Sequence, residues 1–454
     1  MPDGRVVVVG GGLAGISAAL RLADAGREVV LLERRTRLGG AAFSFSRAGL
    51  SVDNGQHVFL RCCAAYRWLL ERLDATSLTH LQPRLDIPVL RADGKQAHLR
   101  RLPGVPAPGH LGAALARYAL LSPADRARVI RGALALRLLD PADRALDQRS
   151  LESFLLQHGQ TPATIEALWG IVATATLNLA PRDASLALAA KVFRTGLLDS
   201  APAGDVGYAI VPLGDIHSTA AHAALVASGV DVRLRHTVEK IEPGSTLQVS
   251  ADGGQYGLPA DTVVLALPHR EAFVAVPALR ASRAAPAADL GYSPIVNVHV
   301  VYDRRVTDLP FAAAVESDVQ WFFDRTESSG LRHRNAGAQY LAVTVSAADG
   351  VVDAASGELR DRFVEELARL LPRARSAEVL DAFVTRERRA TFRQAVGSWP
   401  LRPSATAGPD GLFLAGAWTD TGWPDTMESA VRSGITAAEA ALHLPTSQRL
   451  RFAA

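Results

Sequence analysis

A doubly wound α/β domain, interleaved with an α+β unit of mixed sheet and helices, is the fold class this sequence predicts, and three observations predict it. A β-branched run, a glycine turn, an amphipathic stretch and a second apolar run follow one another within the first 33 residues. Helical periodicity dominates 111–200, and a second glycine turn enters a helical pattern at 412–442. Strand, helix and strand within about 30 residues make a βαβ unit, the start of a Rossmann-type sheet. Repeats and low-complexity linkers are absent from the sequence, so the domains are expected to share the chain in alternating segments.

The elements follow in order. RVVVV at 5–9 is a buried strand; LAGISAALRLADA at 13–25 has apolar residues at helical spacing until Gly26 stops it; EVVLLE at 28–33 is the second strand. In the helical stretch Thr161-Pro162 reads as an N-cap followed by a first-turn proline. Strand patterns return at 230–241, 246–250, 261–267, 295–302 and 340–345. A helix is predicted at 357–371, strands at 379–384 and 412–416, and a last helix at 427–442, beginning near Met427. The nucleotide domain then collects 1–85, 205–290 and 395–454, a helical lid occupies 86–204, and the substrate domain of sheet and helices occupies 291–394.

At 454 residues the chain is long for one core and natural for two or three domains. The net charge is +3 and dispersed, so no basic track for nucleic acid is expected. The two cysteines, Cys62 and Cys63, are adjacent, which disfavours a disulfide between them and leaves a zinc tetrahedron incomplete. They read as buried thiols in a reducing compartment, and no metal site is expected. The N-terminus runs straight into a strand without the pattern of a signal peptide, and no apolar run is long enough to span a bilayer. A cytoplasmic protein, either free or peripheral on the inner face of the membrane, is the expectation.

Gly10-x-Gly12-x-x-Gly15 lies between a strand and a helix, with Leu13 and Ala14 inside the motif. The first glycine permits the tight turn, the second lets backbone approach a pyrophosphate, and the third lets helix pack on strand. Glu33, followed by Arg34, ends the second strand about 20 residues on, where a carboxylate accepts ribose hydroxyls. The competing interpretation is a plain glycine-rich turn with Glu33 as a solvated strand end. Arg37-Leu38-Gly39-Gly40 follows, and LFLAGAWTDTGWPDTMESAVRSG supplies the second glycine turn.

Together these two ends resemble the flavin clamp of the amine-oxidase and carotenoid-desaturase superfamily. The resemblance implies FAD, with the N-terminal motif on ADP, Val238 presenting backbone to adenine, and Gly416, Ala417, Thr426 and Met427 beside the ribityl chain and ring. Met427 would aim a helix N-terminus at the pyrimidine. No second nucleotide fingerprint is present, so electrons would come from a donor not identified or from the substrate. The sequence also departs from amine oxidases: Asn297 stands where they carry a flavin-facing lysine, and Thr426 where they carry a tyrosine. Ala41 and Ala417 replace a basic residue and a strand-end acid of the superfamily, leaving Arg37 or Asp420 to supply those contacts.

The string DNGQHVFLRCC at 53–63 follows the first clamp. By the same resemblance it is a turn passing beneath the flavin, with Gly55 and Gln56 touching the ring through backbone and His57 at its edge. DNGQH, YSPIVNVHVVYDR and TDTGWPDTMESAVRSG are similar to the hydroxysqualene dehydroxylases of squalene and hopanoid biosynthesis. That likeness implies reduction of hydroxysqualene, or another long isoprenoid, by reduced FAD. Losing an allylic hydroxyl needs an acid. His57, Asp53 and Asp420 are the candidates, with Asp425 beside them. Each has a bland counterpart: Asp53 as a turn former, His57 as a core histidine or flavin-site wall, and Asp420 and Asp425 as helix caps. Asn297 and His299 share one face of a strand that either lines the pocket or meets solvent. The rival activities are polyene desaturation, amine oxidation, and isoprenoid escort without turnover. Finally, 111–139 mixes Leu and Ala faces with Arg, as either a lid on its own core or an interfacial helix at a membrane.

Overall fold

The computed structural model describes residues 4–242 and 246–443; the outermost parts of the N-terminal expectation and of the 395–454 segment lie outside the described residues. Val6–Val9 is the centre of a five-stranded parallel sheet in the order Asp231–Leu234, Val29–Glu33, Val6–Val9, Thr262–Leu265, Leu412–Leu414. Its four valines are buried, as expected of a strand covered on both faces. The helix Leu13–Asp24 covers one face together with the last helix, Met427–Ala441. These two helices meet at backbone distance. A Cβ at Gly434 would stand 2.0 Å from the Ala14 carbonyl oxygen, and Ser17 Oγ donates to the Val431 carbonyl at 3.1 Å. Both ends of the described chain therefore build one domain.

The strand pattern at 230–241 is two strands in two sheets. Arg235 adopts φ 58° and turns the chain, with its N–H on the Arg35 carbonyl and the His236 N–H on the Glu33 carbonyl. Asp231–Leu234 closes the parallel sheet, and Thr237–Glu242 opens an antiparallel one with Thr246–Ala251 and Gly254–Pro259. Periodicity alone does not register such a break, because the residues on either side remain β-branched and alternating.

The second unit is a seven-stranded mixed sheet. Its order is Val379–Phe392, Tyr292–Tyr302, Gln339–Val345, Trp321–Asp324, Phe311–Val315, Asp86–Arg91, Gln96–Arg100. Val296, Val298, Val300 and Tyr302 project to one face and pack on Leu359, Phe363 and Leu367 of the helix Ser356–Leu370. Phe311, Ala313 and Phe323 belong to the core shared with the helical segment, which contributes Tyr118, Phe154, Trp169 and Phe193. Residues 86–100 thus belong to the sheet rather than to the helical segment expected at 86–204. Within the helical segment Thr161 caps as the sequence predicts, in a reciprocal box with Thr164, and Pro162 takes the first turn.

Candidate functional site

Two of the three motif glycines, Gly10 and Gly15, are required by contact. Gly10 sits at φ 107°, and a Cβ at Gly15 would stand 1.8 Å from the Gly10 carbonyl oxygen. A Cβ at Gly40 would stand 2.8 Å from Gly12 Cα, and the Gly39 N–H donates to the Gly11 carbonyl at 2.9 Å. Two glycine turns therefore lie back to back. Leu13 and Ala14 open a helix whose N-cap, Gly12, brings no capping side chain, leaving that terminus able to receive an anion.

Glu33 is buried instead of solvated. Its oxygens accept from the Gly11 N–H at 2.7 Å and the Arg35 N–H at 2.8 Å, so the carboxylate is fixed beside the turn with lone pairs left for a hydroxyl. Arg34 is exposed. Arg37 lies 3.6 Å over the Phe43 ring and donates to the carbonyls of Leu38 and Gly40; burial and neighbouring Arg35 lower its pKa to about 10. A β-bulge between Val238 and Lys240 interrupts the strand pairing there, which lets backbone groups turn toward a ligand.

At the other end Gly416, at φ 136°, donates its N–H to Ser433 Oγ at 2.8 Å. The Ala417 carbonyl accepts from Arg402, a buried guanidinium whose Nε has no partner among the described residues. Thr426 caps the last helix by accepting the Ser429 N–H, so neither Asp420 nor Asp425 is its cap. Met427 is the first helical residue. Glu428, which the sequence reading did not single out, is fully buried. It accepts the N–H groups of Ala65 and Tyr66 and pairs with Arg432, tying the last helix to the start of Ala64–Arg72. Its one signal in the sequence is an acid on the apolar face of a helix. Paired glycine turns, a fixed carboxylate, a bulged strand and an uncapped helix N-terminus are together able to hold a dinucleotide flavin.

In the turn at 53–57, Asp53 is buried and saturated. Its carboxylate accepts from Ser44 Oγ at 2.6 Å and the Leu213 N–H at 3.0 Å, and pairs with Arg325. Asn54 ties the turn to the Phe43 N–H and the Ala41 carbonyl. A Cβ at Gly55 would lie 3.5 Å from His57 Nε2 and 3.8 Å from Asn297 Nδ2, so Gly55, His57 and Asn297 converge. Gln56 and His57 are half-buried. Neither ring nitrogen of His57 has a hydrogen-bond partner among the described residues. Burial, with Arg325 adding to it, lowers its pKa to about 4, so the ring is neutral at pH 7.

Asn297 is spent on structure: its Nδ2 donates to the Asn54 carbonyl, and its Oδ1 accepts from Thr344. His299 is bonded to Tyr340 and Thr385, and burial takes it to about 3. The face they share meets neither solvent nor open space at these two positions.

The C-terminal aspartates differ. Asp420 bonds Trp399 Nε1 at 3.1 Å and pairs with the exposed Arg144 at 3.2 Å. Asp425 accepts the Phe392 N–H at 2.7 Å through one oxygen, while the other has no partner among the described residues. Burial raises its pKa to about 6. Cys62 and Cys63 are free thiols, half-buried instead of buried because they lie in the turn before the helix, and Cys63 precedes the helix bearing buried Tyr66, Leu69 and Leu70.

The family described as flavin containing amine oxidoreductase matches residues 13–442. Hydroxysqualene dehydroxylase of Rhodopseudomonas palustris is 29% identical over 96% of this chain and 98% of that protein. The probable zeta-carotene desaturase of Synechococcus elongatus is 24% identical over 96% and 98%. The crystal structure of a putative protoporphyrinogen oxidase from Exiguobacterium aligns with TM-score 0.70 at 18% identity, over 98% of this chain and 100% of that one, a likeness of fold. A mixed sheet beside a parallel one with two packed glycine turns agrees with these matches, and the chain belongs to the flavin containing amine oxidoreductase family, as a flavin-dependent oxidoreductase.

Proposed function

We propose that this flavoprotein reduces hydroxysqualene to squalene with FAD as its cofactor. The observation that carries the reading is Asp425, a half-buried carboxyl with one oxygen that no described residue engages, two residues before the helix Met427–Ala441 that the superfamily resemblance puts against the flavin ring. Similarity along nearly the whole chain to the Rhodopseudomonas palustris dehydroxylase supports it. Asn297, with both ends of its amide engaged, supports a chemistry other than amine oxidation.

Gly10, Gly12, Leu13, Ala14 and Gly15 would receive the pyrophosphate, with Gly39 and Gly40 behind it. Glu33 would hold the ribose, Arg34 would flank it, and Val238 would meet the adenine. Gly55, Gln56, His57, Gly416, Ala417, Thr426 and Met427 would line the ring. Reduced FAD, when bound, supplies a hydride. Asp425 would give its proton to the allylic hydroxyl so that it could leave as water, and the bound cofactor would supply the hydride that replaces it, one proton and one hydride together converting alcohol to hydrocarbon and water. Neutral His57 accepts a hydrogen bond at the edge of the site and keeps positive charge away from the developing cation. Asp53 holds the turn through Arg325, and Asp420 remains an ion-paired surface group. Each turnover would need two electrons from a separate donor. A substrate this insoluble has to be drawn from a bilayer or a neighbouring enzyme, so the protein works peripherally at a membrane.

Similarity to zeta-carotene desaturases supports the second reading, polyene desaturation, in which the hydride travels toward the flavin. Anaerobic mixing separates them. Photoreduced protein oxidised by hydroxysqualene, with squalene as product, is the expected result. Bleaching of the oxidised flavin by phytoene or zeta-carotene, with no reaction of the reduced form, would transfer the protein to the second reading.

A further inference from the structure

The helix Pro123–Arg137 has two apolar faces where a surface helix ordinarily has one. Val129, Gly132 and Leu136 are buried against the core. On the opposite side Ile130 is 52% exposed, Leu134 49% and Leu138, just past the helix end, 87%. At about 100° per residue these three form one strip about 80° wide, with exposed Pro123 and Ala127 in the same sector. Arg137 falls about 20° before the strip and Arg131 about 20° beyond it, one on each edge. Neither arginine has an ion-pair partner among the described residues. The helix's one acid, Asp125, lies off the strip and is taken up by Ser122, Arg128 and Thr161.

We infer that this strip is the surface by which the protein docks on an anionic lipid bilayer. Leucine and isoleucine enter the acyl boundary, while the two flanking arginines extend to lipid phosphates on either side, their stems lying along apolar surface. A second copy of the chain fits the strip poorly. Fifteen residues span about 22 Å, and a strip about 10 Å wide covers roughly 200 Å², against the roughly 800 Å² per partner of a stable interface. A bilayer has no such minimum area and is drawn by the unpaired positive charge. The inference rests on the proposed function only for the reason a membrane is visited; the surface is argued from the helix itself.

The test is flotation of the purified flavoprotein with substrate-free vesicles, either phosphatidylcholine alone or equal parts phosphatidylcholine and phosphatidylglycerol. The wild type is expected to float with the anionic vesicles and to be released by salt. The triple variant Ile130→Ser/Leu134→Ser/Leu138→Ser should lose about tenfold or more in vesicle affinity. Arg131→Gln/Arg137→Gln should lose roughly tenfold on anionic vesicles and little on neutral ones. All substituted positions are exposed, so both variants should keep their flavin, their melting temperature and their rate with detergent-dispersed substrate. Wild type that never floats overturns the inference, as does a triple variant that floats unchanged. A triple variant that instead converts a solution dimer to monomer also overturns it, making the strip a contact between copies. Because the vesicles hold no substrate, none of these outcomes depends on the reaction.

Discussion

Replacing Asp425 by asparagine separates a proton donor from a structural acid by two independent readouts. The carboxyl rises from 3.8 to about 6 because burial outweighs both the Phe392 N–H and the attraction of Arg402. A folded-state pKa above the unfolded one means that the native state holds the proton more tightly, so stability is full below 3.8 and is lost as pH climbs through 6. Once ionised, the group costs up to about 3 kcal/mol at pH 8 and about half of that at pH 5. Asparagine cannot ionise and still accepts the Phe392 N–H, so Asp425→Asn should be the more stable protein by about those amounts. Urea unfolding at both pH values measures them. In single-turnover oxidation of the reduced flavin by hydroxysqualene, the wild-type rate should fall as pH rises through about 6, following the protonated fraction. The variant should be slower by about 100-fold or more and should lack that limb. Asp420→Asn, touching only Trp399 and Arg144, should stay within a few fold of wild type. A variant with unchanged stability at pH 8 and a retained pH limb would show that Asp425 neither stores that energy nor gives the proton.

Three further substitutions probe the frame around the site. Gly434→Ala puts a methyl 2.0 Å from the Ala14 carbonyl oxygen and 2.3 Å from Ser17 Oγ, so the helices must separate; a loss of about 1–3 kcal/mol, a lower melting temperature and easier flavin release are expected. Asp53→Asn leaves Arg325, whose side chain is 11% exposed, without its counter-charge. It should cost about 3–5 kcal/mol in urea unfolding, while flavoprotein that remains folded keeps its pH limb near 6. Glu33→Gln weakens a charged acceptor beside the glycine turn and should raise the dissociation constant for FAD by roughly 10- to 100-fold in equilibrium dialysis, with no change in single-turnover rate at saturating flavin.

What the sequence made legible was local. Val6–Val9, Leu13–Asp24 and Val29–Glu33 are each dictated by their own residues, and the helix at Thr161 by a cap at its own start, whereas the last helix begins at Met427 as expected but on Thr426 rather than on Asp420 or Asp425 as its cap. Illegible were elements whose reason lies elsewhere in the chain. The strands Ser44–Arg47 and Val58–Leu60 are too short for a period to declare itself, and the first reads as polar. The break at Arg235 follows from the backbone of Glu33 and Arg35, some 200 residues earlier. The acids show the same limit most sharply. Asp53, Asp147, Asp420, Asp425 and Glu428 are alike as letters, and spacing could rank none of them. Their partners do. Both oxygens of Asp53 are taken, by Ser44, Leu213 and Arg325, and both of Asp147, by Ser185 and the Trp399 N–H. Both oxygens of Glu428 close a helix start, and Asp420 is balanced by an exposed arginine. Asp425 differs from these: it is half-buried, one oxygen accepts the Phe392 N–H, no described residue engages the other, and burial raises the carboxyl to about 6, so that it keeps its proton until a substrate asks for it.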